Sequence, residues 1–345
     1  MTDISVITLN YREALLTVTC VKKLLQNKNV NFEIIVIDNS CLSTEATVLN
    51  KIKDKRVRVF IMEKNLGCAA GYNYGIEKAK GKYIFILNND TEIKDKHALS
   101  KMKSFMDENK NVGVIQPKIK SLQKPEHFEY AGAAGGYMDY LGYPFCRGRM
   151  FQNVEKDRGQ YDESTDITWA STCAFFGRRN LLIKLGLFDP IYFAYAEEVD
   201  MSLKIWNSGY KVQYFPDTEV YHKGETSWKK VRGKKTYLIH RNHLILYFKC
   251  LPLRDVLLFL PLRVLFEFLS TYHYVMNNSY LHVLPVMFAN FHTLILLPKI
   301  MKRRKVFFEG YRKNQKPIYR RSIVLDYFLH KKEKFSLLDK KLFLS

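Results

Sequence analysis

Acidic residues are scarce in the last third of this sequence. Residues 229–345 hold 24 lysines and arginines but only 6 aspartates and glutamates, whereas residues 1–228 hold 31 and 28. A balance of +18 against +3 places almost all of the net charge of +21 at the back. Such asymmetry points to an anionic partner surface, either membrane or nucleic acid. Cysteine is sparse as well: the six residues are scattered and form no C-x-x-C pair. That argues against a zinc site or a disulfide framework, as expected of a reduced, cytosolic chain. No secretory leader is expected, because Met1-Thr2-Asp3 brings no basic n-region and the apolar run after it is short. The basic residues carry no DNA- or RNA-binding motif and are interleaved with long aliphatic runs. Nucleic acid is therefore not the expected partner.

What is present suits about two domains, and 47% hydrophobic residues can bury a sizeable core. Apolar runs of strand character at residues 4–11, 32–37, 57–61 and 83–87 alternate with helical patterns at 15–25, 43–52 and 67–79. This alternation predicts βαβ units and a doubly wound, mostly parallel α/β sheet. The rest of the chain is arranged around Tyr83-Ile84-Phe85-Ile86-Leu87, which runs into Asn88-Asn89-Asp90-Thr91-Glu92. Taken alone, this is a buried strand ending in an Asn/Asp turn. Yet three strands close on Asn10, Asp38 and Asp90, and ligands of open α/β sheets sit beyond the carboxyl ends of strands. A carboxylate there can hold a hard divalent cation against a diphosphate. Further on, the pattern predicts a helix over 94–105, a strand over 112–119 and short strands with long loops over 121–168. A strand over 172–177, a helix opening at Glu197-Glu198 and two short strands at 211–215 and 218–222 follow. Acidic residues in a first turn are favoured by the helix dipole, which by itself accounts for that glutamate pair.

Seven motifs stand in order across residues 3–228. They are Val6-Ile7-Thr8-Leu9-Asn10-Tyr11, Val36-Ile37-Asp38-Asn39-Ser40, Asn65-Leu66-Gly67-Cys68-Ala69-Ala70-Gly71, Leu87-Asn88-Asn89-Asp90-Thr91, Gly186-Leu187-Phe188-Asp189, Glu197-Glu198-Val199-Asp200 and His222. In that order and spacing the chain resembles the inverting family-two glycosyltransferases of GT-A fold. The likeness is closest to the rhamnosyltransferase-like members that build surface polysaccharides. It implies a Rossmann-like catalytic domain over residues 1–228 that moves a hexose from a nucleotide-diphosphate sugar. A dTDP- or UDP-sugar is the implied donor, dTDP-rhamnose among the candidates, and a lipid-linked glycan or polysaccharide of the cell envelope is the acceptor.

The resemblance assigns Asp90 to a divalent cation, Mn²⁺ or Mg²⁺, with His222 as a further ligand. It assigns Asp38 to the nucleotide base, with Thr8 and Asn10 lining the same pocket. Asn65 and Gly67 fall on the turn over ribose and diphosphate, and Asn88 and Asn89 on the donor side. The family usually carries Glu-Asp where this chain has Glu197-Glu198. Glu198 inherits the place of the general base, and the choice between it and Glu197 stays open. Asn88 stands where the family usually has Asp, which implies weaker cation binding. These departures keep a non-catalytic, nucleotide-binding scaffold as the alternative.

Beyond residue 228 the composition changes. Residues 237–248 are apolar with a basic belt, and 251–274 are mostly Leu, Phe and Val. Residues 280–298 carry no formal charge and end against Lys299, Lys302, Arg303, Arg304 and Lys305. A spanning helix needs about 20 predominantly apolar residues, and His282, Pro285, Asn290 and His292 make this one marginal. Apolar helices with basic flanks lie in the interface of anionic bilayers. Residues 229–345 are thus expected to form a helical region on the cytoplasmic face of the membrane, suited to a lipid-linked acceptor. A buried helical or oligomer-forming domain, and insertion of residues 280–298 across the membrane, are the other readings. Residues 311–345, basic and aromatic, are expected to be a surface-binding tail.

Overall fold

The apolar runs of the first 90 residues form strands because their side chains alternate between two covered faces. The computed structural model describes residues 2–224, 232–309 and 316–343. Within it, Val57–Ile61, Phe32–Asp38, Ile4–Asn10 and Tyr83–Leu87 lie side by side, all parallel. Ile7, Ile35, Ile37, Ile84 and Ile86 pack with the helix Gly67–Lys78 on one face. Val6, Ile34, Val36, Phe85 and Leu87 pack with the helices Ala14–Leu24 and Ala98–Glu108 on the other. Burial on both faces is what a continuous apolar run in a parallel sheet encodes.

The second half of this nine-stranded sheet is mixed. Ala174–Arg178 runs antiparallel between Tyr83–Leu87 and Val112–Ser121, and Lys211–His222 then runs parallel to Val112–Ser121. The two short strands expected at 211–215 and 218–222 are one strand, with a register shift between Phe215 and Glu219. Pro216 falls inside that shift, where its missing N–H breaks the ladder. The helix expected from residue 94 starts at Ala98, because Asp95 Oδ1 accepts from His97 N at 2.8 Å and makes a turn of the preceding residues.

Residues 121–168 do form short strands and loops. Gly136–Asp139, Pro144–Cys146, Arg149–Met150 and Asn153–Val154 make a second sheet. Ile318–Tyr319 joins it in parallel, Tyr319 opposite Asp139. This corrects the expected tail: among residues 316–343, Tyr319, Phe335 and Phe343 pack on Tyr137 and Phe145, and Tyr319 is fully buried. The aromatic residues of that segment serve packing. The boundary at residue 228 and the start of the tail at residue 311 lie outside the described residues.

Three long helices follow, Arg232–Cys250, Leu253–Met276 and Val283–Phe308. Tyr280–Phe308 is long and apolar enough to cross a membrane by length and composition. In Val283–Phe308, Val286, Ala289, Thr293, Ile300 and Phe307 are buried, while Leu284, Met287, Phe288, Phe291, Leu294 and Ile295 are exposed. Both sets recur at helical spacing, so over residues 283–298 the helix is apolar on most sides but covered on one side only.

Candidate functional site

The first corner of the site is built by register. Asn10 and Asp38 end paired strands directly opposite one another. Asn10 Nδ2 donates to Asp38 Oδ1 at 2.9 Å and to Glu45 Oε2 at 3.1 Å. Thr17 Oγ1 donates to Asn10 Oδ1 at 2.8 Å and accepts from Asn89 Nδ2 at 2.9 Å, tying the first strand end to the fourth. Asp38 Oδ2, Thr8 Oγ1 and Asn39 Oδ1 are buried without a hydrogen-bond partner among the described residues. Each such atom costs about 1–3 kcal/mol unless something else pairs with it, so the three mark a seat for a polar ligand.

The neighbouring turn closes this seat. Asn65 Oδ1 accepts from Gly67 N at 2.8 Å, and Gly67 O accepts from Asn39 Nδ2 at 3.0 Å. Gly67 has φ +75°, and a Cβ there would fall 2.5 Å from Phe193 O. Only glycine fits both the conformation and the approach. On the far side, Cys68 N donates to Phe193 O at 2.6 Å.

The second corner is a histidine held between carboxylates. Thr91–Glu92 pairs antiparallel with Tyr221–His222 and so brings Asp90 beside His222. His222 Nε2 lies 3.0 Å from Asp90 Oδ1 and 3.2 Å from Asn88 Nδ2. Its Nδ1 lies 3.0 Å from Glu129 Oε2. A carboxylate behind a histidine fixes the orientation of the ring. Burial opposes charge on His222, but Cys173, Asp90 and Glu129 outweigh it and hold the ring's pKa well above its usual value. A metal ion at Nε2 would compete with that proton. Among the described residues, no group of three or more His, Cys, Asp or Glu side chains is set to hold a metal. Asp90 and His222 stand close enough to offer two donor atoms, a set that fits only a cation taking its remaining oxygens from a diphosphate and water.

The third corner is a pair of buried carboxyls. Glu197 and Glu198 open the helix Glu197–Asn207, and their Oε2 atoms have no hydrogen-bond partner among the described residues. Burial raises Glu198 from 4.5 to about 7, and burial together with the charge of Glu198 raises Glu197 well above its usual value. A carboxyl poised near neutrality can exchange a proton with a substrate at working pH.

Asn10, Asp38, Asn89, Asn65 and Gly67 are thus joined through hydrogen bonds, and Asn88, Asp90 and His222 form a second group; Phe193 leads from the turn to the glutamates. Sequence reasoning missed Thr17, Glu45 and Glu129, which hold the named residues from behind and stand in no motif. It quoted Asp189 without a role. Asp189 Oδ2 meets Lys249 Nζ at 2.7 Å, and Lys249 meets Asp200 Oδ1, also at 2.7 Å. Burial opposes the charge on Asp189, but the Lys249 ammonium holds its carboxyl down at about 2.

Residues 5–186 match the family described as Glycosyl transferase family 2. The chain is similar to Glycosyltransferase GlyG of Streptococcus pneumoniae, 26% identical over 201 residues that cover 57% of this chain and 62% of GlyG. It is also similar to O-antigen biosynthesis protein RfbC of Myxococcus xanthus, 24% identical over 206 residues, 58% of this chain and 15% of RfbC. The match thus spans less than two-thirds of either relative. Among solved structures, the chain is similar to the mannosyltransferase PcManGT from Pyrobaculum calidifontis, in complex with GDP-Man and Mn²⁺. The TM-score is 0.50 at 13% identity, covering 89% of this chain and 85% of that one, a likeness of fold.

Proposed function

This chain belongs to glycosyl transferase family 2, with a GT-A-like mixed α/β domain, and from that premise we propose that it moves one sugar, with inversion, from a nucleotide diphosphate to a lipid-linked glycan. The observation that carries the reading is the bond between Cys68 N and Phe193 O, which joins the turn beside the polar seat to the loop that leads into the glutamates. Donor seat and base are thereby adjoining parts of one site. Asp38, Thr8 and Asn10 would take the nucleotide base, Asn65 and Gly67 the ribose and diphosphate, and Asn88 and Asn89 the donor side. Asp90 and His222 would hold Mn²⁺ or Mg²⁺, which when bound stabilises the charge that builds on the leaving diphosphate.

In the transfer step the acceptor hydroxyl oxygen attacks the anomeric carbon. The bond from that carbon to the diphosphate oxygen breaks, the electron pair leaves with the diphosphate, and the hydroxyl proton goes to Glu198. Glu198 is the better base of the pair. Its pKa is about 7, whereas Glu197 is held protonated by burial and by its neighbour's charge.

The dTDP- and UDP-sugars of the rhamnosyltransferase-like subset are the proposed donors. Residues 1–228 would form the bulk of the catalytic unit, and the helices Leu253–Met276 and Val283–Phe308 the membrane-associating part, on the cytoplasmic face. The exposed apolar sides of Leu253–Met276 and Val283–Phe308 support that, since contiguous apolar patches mark partner or membrane contact and the flanks are basic. Transfer to a glycan acceptor also accords with the similarity to an O-antigen biosynthesis protein.

A thermal-shift screen of UDP, dTDP, GDP and their sugars, with Mn²⁺, Mg²⁺ or EDTA, tests the reading. A cation-dependent rise for one nucleotide, lost in Asp90→Ala, is expected. No response to any nucleotide in a folded sample would overturn it, and nucleotide binding without turnover would leave the non-catalytic scaffold.

A further inference from the structure

The loop that delivers Glu198 is held at one point by its own domain, where Phe193 O meets Cys68 N, and otherwise from the C-terminal helix. Just ahead of the helix Glu197–Asn207, Phe193, Tyr195 and Ala196 have φ of 63°, 70° and 71°. Non-glycine residues in the left-handed region are strained, and persist only where their surroundings hold them. Here the surroundings are the helix Arg232–Cys250. Asn242, fully buried, places its Nδ2 2.9 Å from Tyr192 O and 2.7 Å from both Ala194 O and Tyr195 O. Arg241 Nη2 donates to Ile191 O at 3.0 Å and to Tyr192 O at 2.9 Å. The same guanidinium donates to Asn242 Oδ1 from Nε at 3.0 Å and from Nη2 at 2.8 Å, which fixes the direction of the amide. One turn-pair further along, Lys249 bridges Asp189 and Asp200, one on each side of the loop.

We infer that Arg241 and Asn242 are positioning residues for the transfer: they hold residues 191–195 in a strained conformation that sets Glu198 at the acceptor, so the C-terminal helix completes the active site. This rests on Glu198 as the base. A flexible loop would let Glu198 wander, and a displacement of about 1 Å in such a group is enough to cost around 100-fold. It would also let water reach the carboxyl and remove the burial that raises it.

The test uses the full chain. The nucleotide sugar that raises the melting temperature most among UDP-, dTDP- and GDP-sugars serves as probe, and nucleotide release is followed against pH. For Asn242→Ala we expect release to slow about 10–100-fold, nucleotide affinity to stay within about twofold, and the pH midpoint to fall from about 7 towards 4.5. Unchanged rate and midpoint would overturn the inference. So would a loss of rate matched by a loss of nucleotide affinity, which is what general loosening produces. If Asn242→Ala does not fold, Arg241→Gln, which removes the guanidinium's bonds to Ile191, Tyr192 and Asn242, is read in the same way. Glu198→Gln runs alongside. If it releases nucleotide normally, the base reading and this inference both fall. If it is inactive while Asn242→Ala is normal, only the inference falls.

Discussion

The polar seat and the loop ahead of Glu198 adjoin one another through Cys68 and Phe193, yet they are held by different means. Asn10 and Asp38 sit at the ends of strands whose pairing runs without a break from Ile4↔Phe32, so the sheet that forms the core also places them. Residues 191–196 have no such ladder. Their placement comes from the side chains of Arg241 and Asn242, about 50 positions away, and from Phe193 O under Cys68 N. A seat fixed by register survives the loss of single side chains behind it, because the backbone carries it. A loop fixed by a few buried side chains does not.

The comparison breaks most sharply at the base itself. Glu198→Gln removes the proposed proton acceptor and leaves the strand-end seat intact. Transfer is expected to fall about 10²–10⁴-fold with nucleotide binding unchanged, measured as nucleotide release and thermal shift side by side. Near-normal release would move the base to Glu197 or elsewhere.

Lys249→Met tests the clamp by stability. It removes the ammonium between the buried Asp189 and Asp200, which keep Arg303 and Lys204 as partners, so the loss should fall below the roughly 3–5 kcal/mol of a buried charge left alone. Asp189 is depressed to about 2, so the stability it contributes is present above its ordinary value of 3.8 and is lost as pH falls through 2. Urea unfolding should therefore show a wide gap between wild type and variant at pH 7 that narrows towards pH 2–3. An equal gap at both pH values would mean that Lys249 acts by packing its stem.

How far each half could be read from the sequence follows the same division. The alternation of apolar runs with helices, and the polar residues closing each run, placed Asn10, Asp38 and Asp90 on one rim, because strand order and register act locally. His222 needed the resemblance to a family, since its partner Asp90 lies far back in the chain and only the pairing of Thr91–Glu92 with Tyr221–His222 unites them. Glu129 and Asn242 carry no signal at all: an Asn inside a helix that also holds Leu244 and Ile245 reads as a chance polar position. Tyr319 and Phe335 misled for a related reason. Aromatic and basic residues together suggest a surface, and only the second sheet, built from residues over 150 positions earlier, reveals the pocket they fill.

A second comparison, of surfaces, yields the next effect. Phe268 and Phe291 are 69% and 61% exposed on the C-terminal helices. Each would contribute roughly 1.5–3 kcal/mol if its ring entered a bilayer. Phe268→Glu with Phe291→Glu should therefore weaken binding to anionic vesicles about 10²–10⁴-fold, measured by co-sedimentation, with the melting temperature nearly unchanged. Unaltered sedimentation would turn that face away from lipid.

The smallest effect lies in how the uncharged base supports the fold. Glu198 keeps its proton to about pH 7 in the folded chain, whereas an ordinary glutamate gives it up near 4.5. Below 4.5 both states hold the proton, and nothing distinguishes them. Between 4.5 and 7 the unfolded chain ionises and the folded one does not, so stability falls as pH rises. Above 7 the full cost is present, about 3 kcal/mol. Glu198→Gln escapes this cost, and its melting temperature relative to wild type should rise across that window by a few degrees, read by calorimetry at pH 5 and pH 8. A constant difference would mean that the carboxyl is solvated in the folded chain. The nearby clamp would then hold a loop whose glutamate ionises as it would in water.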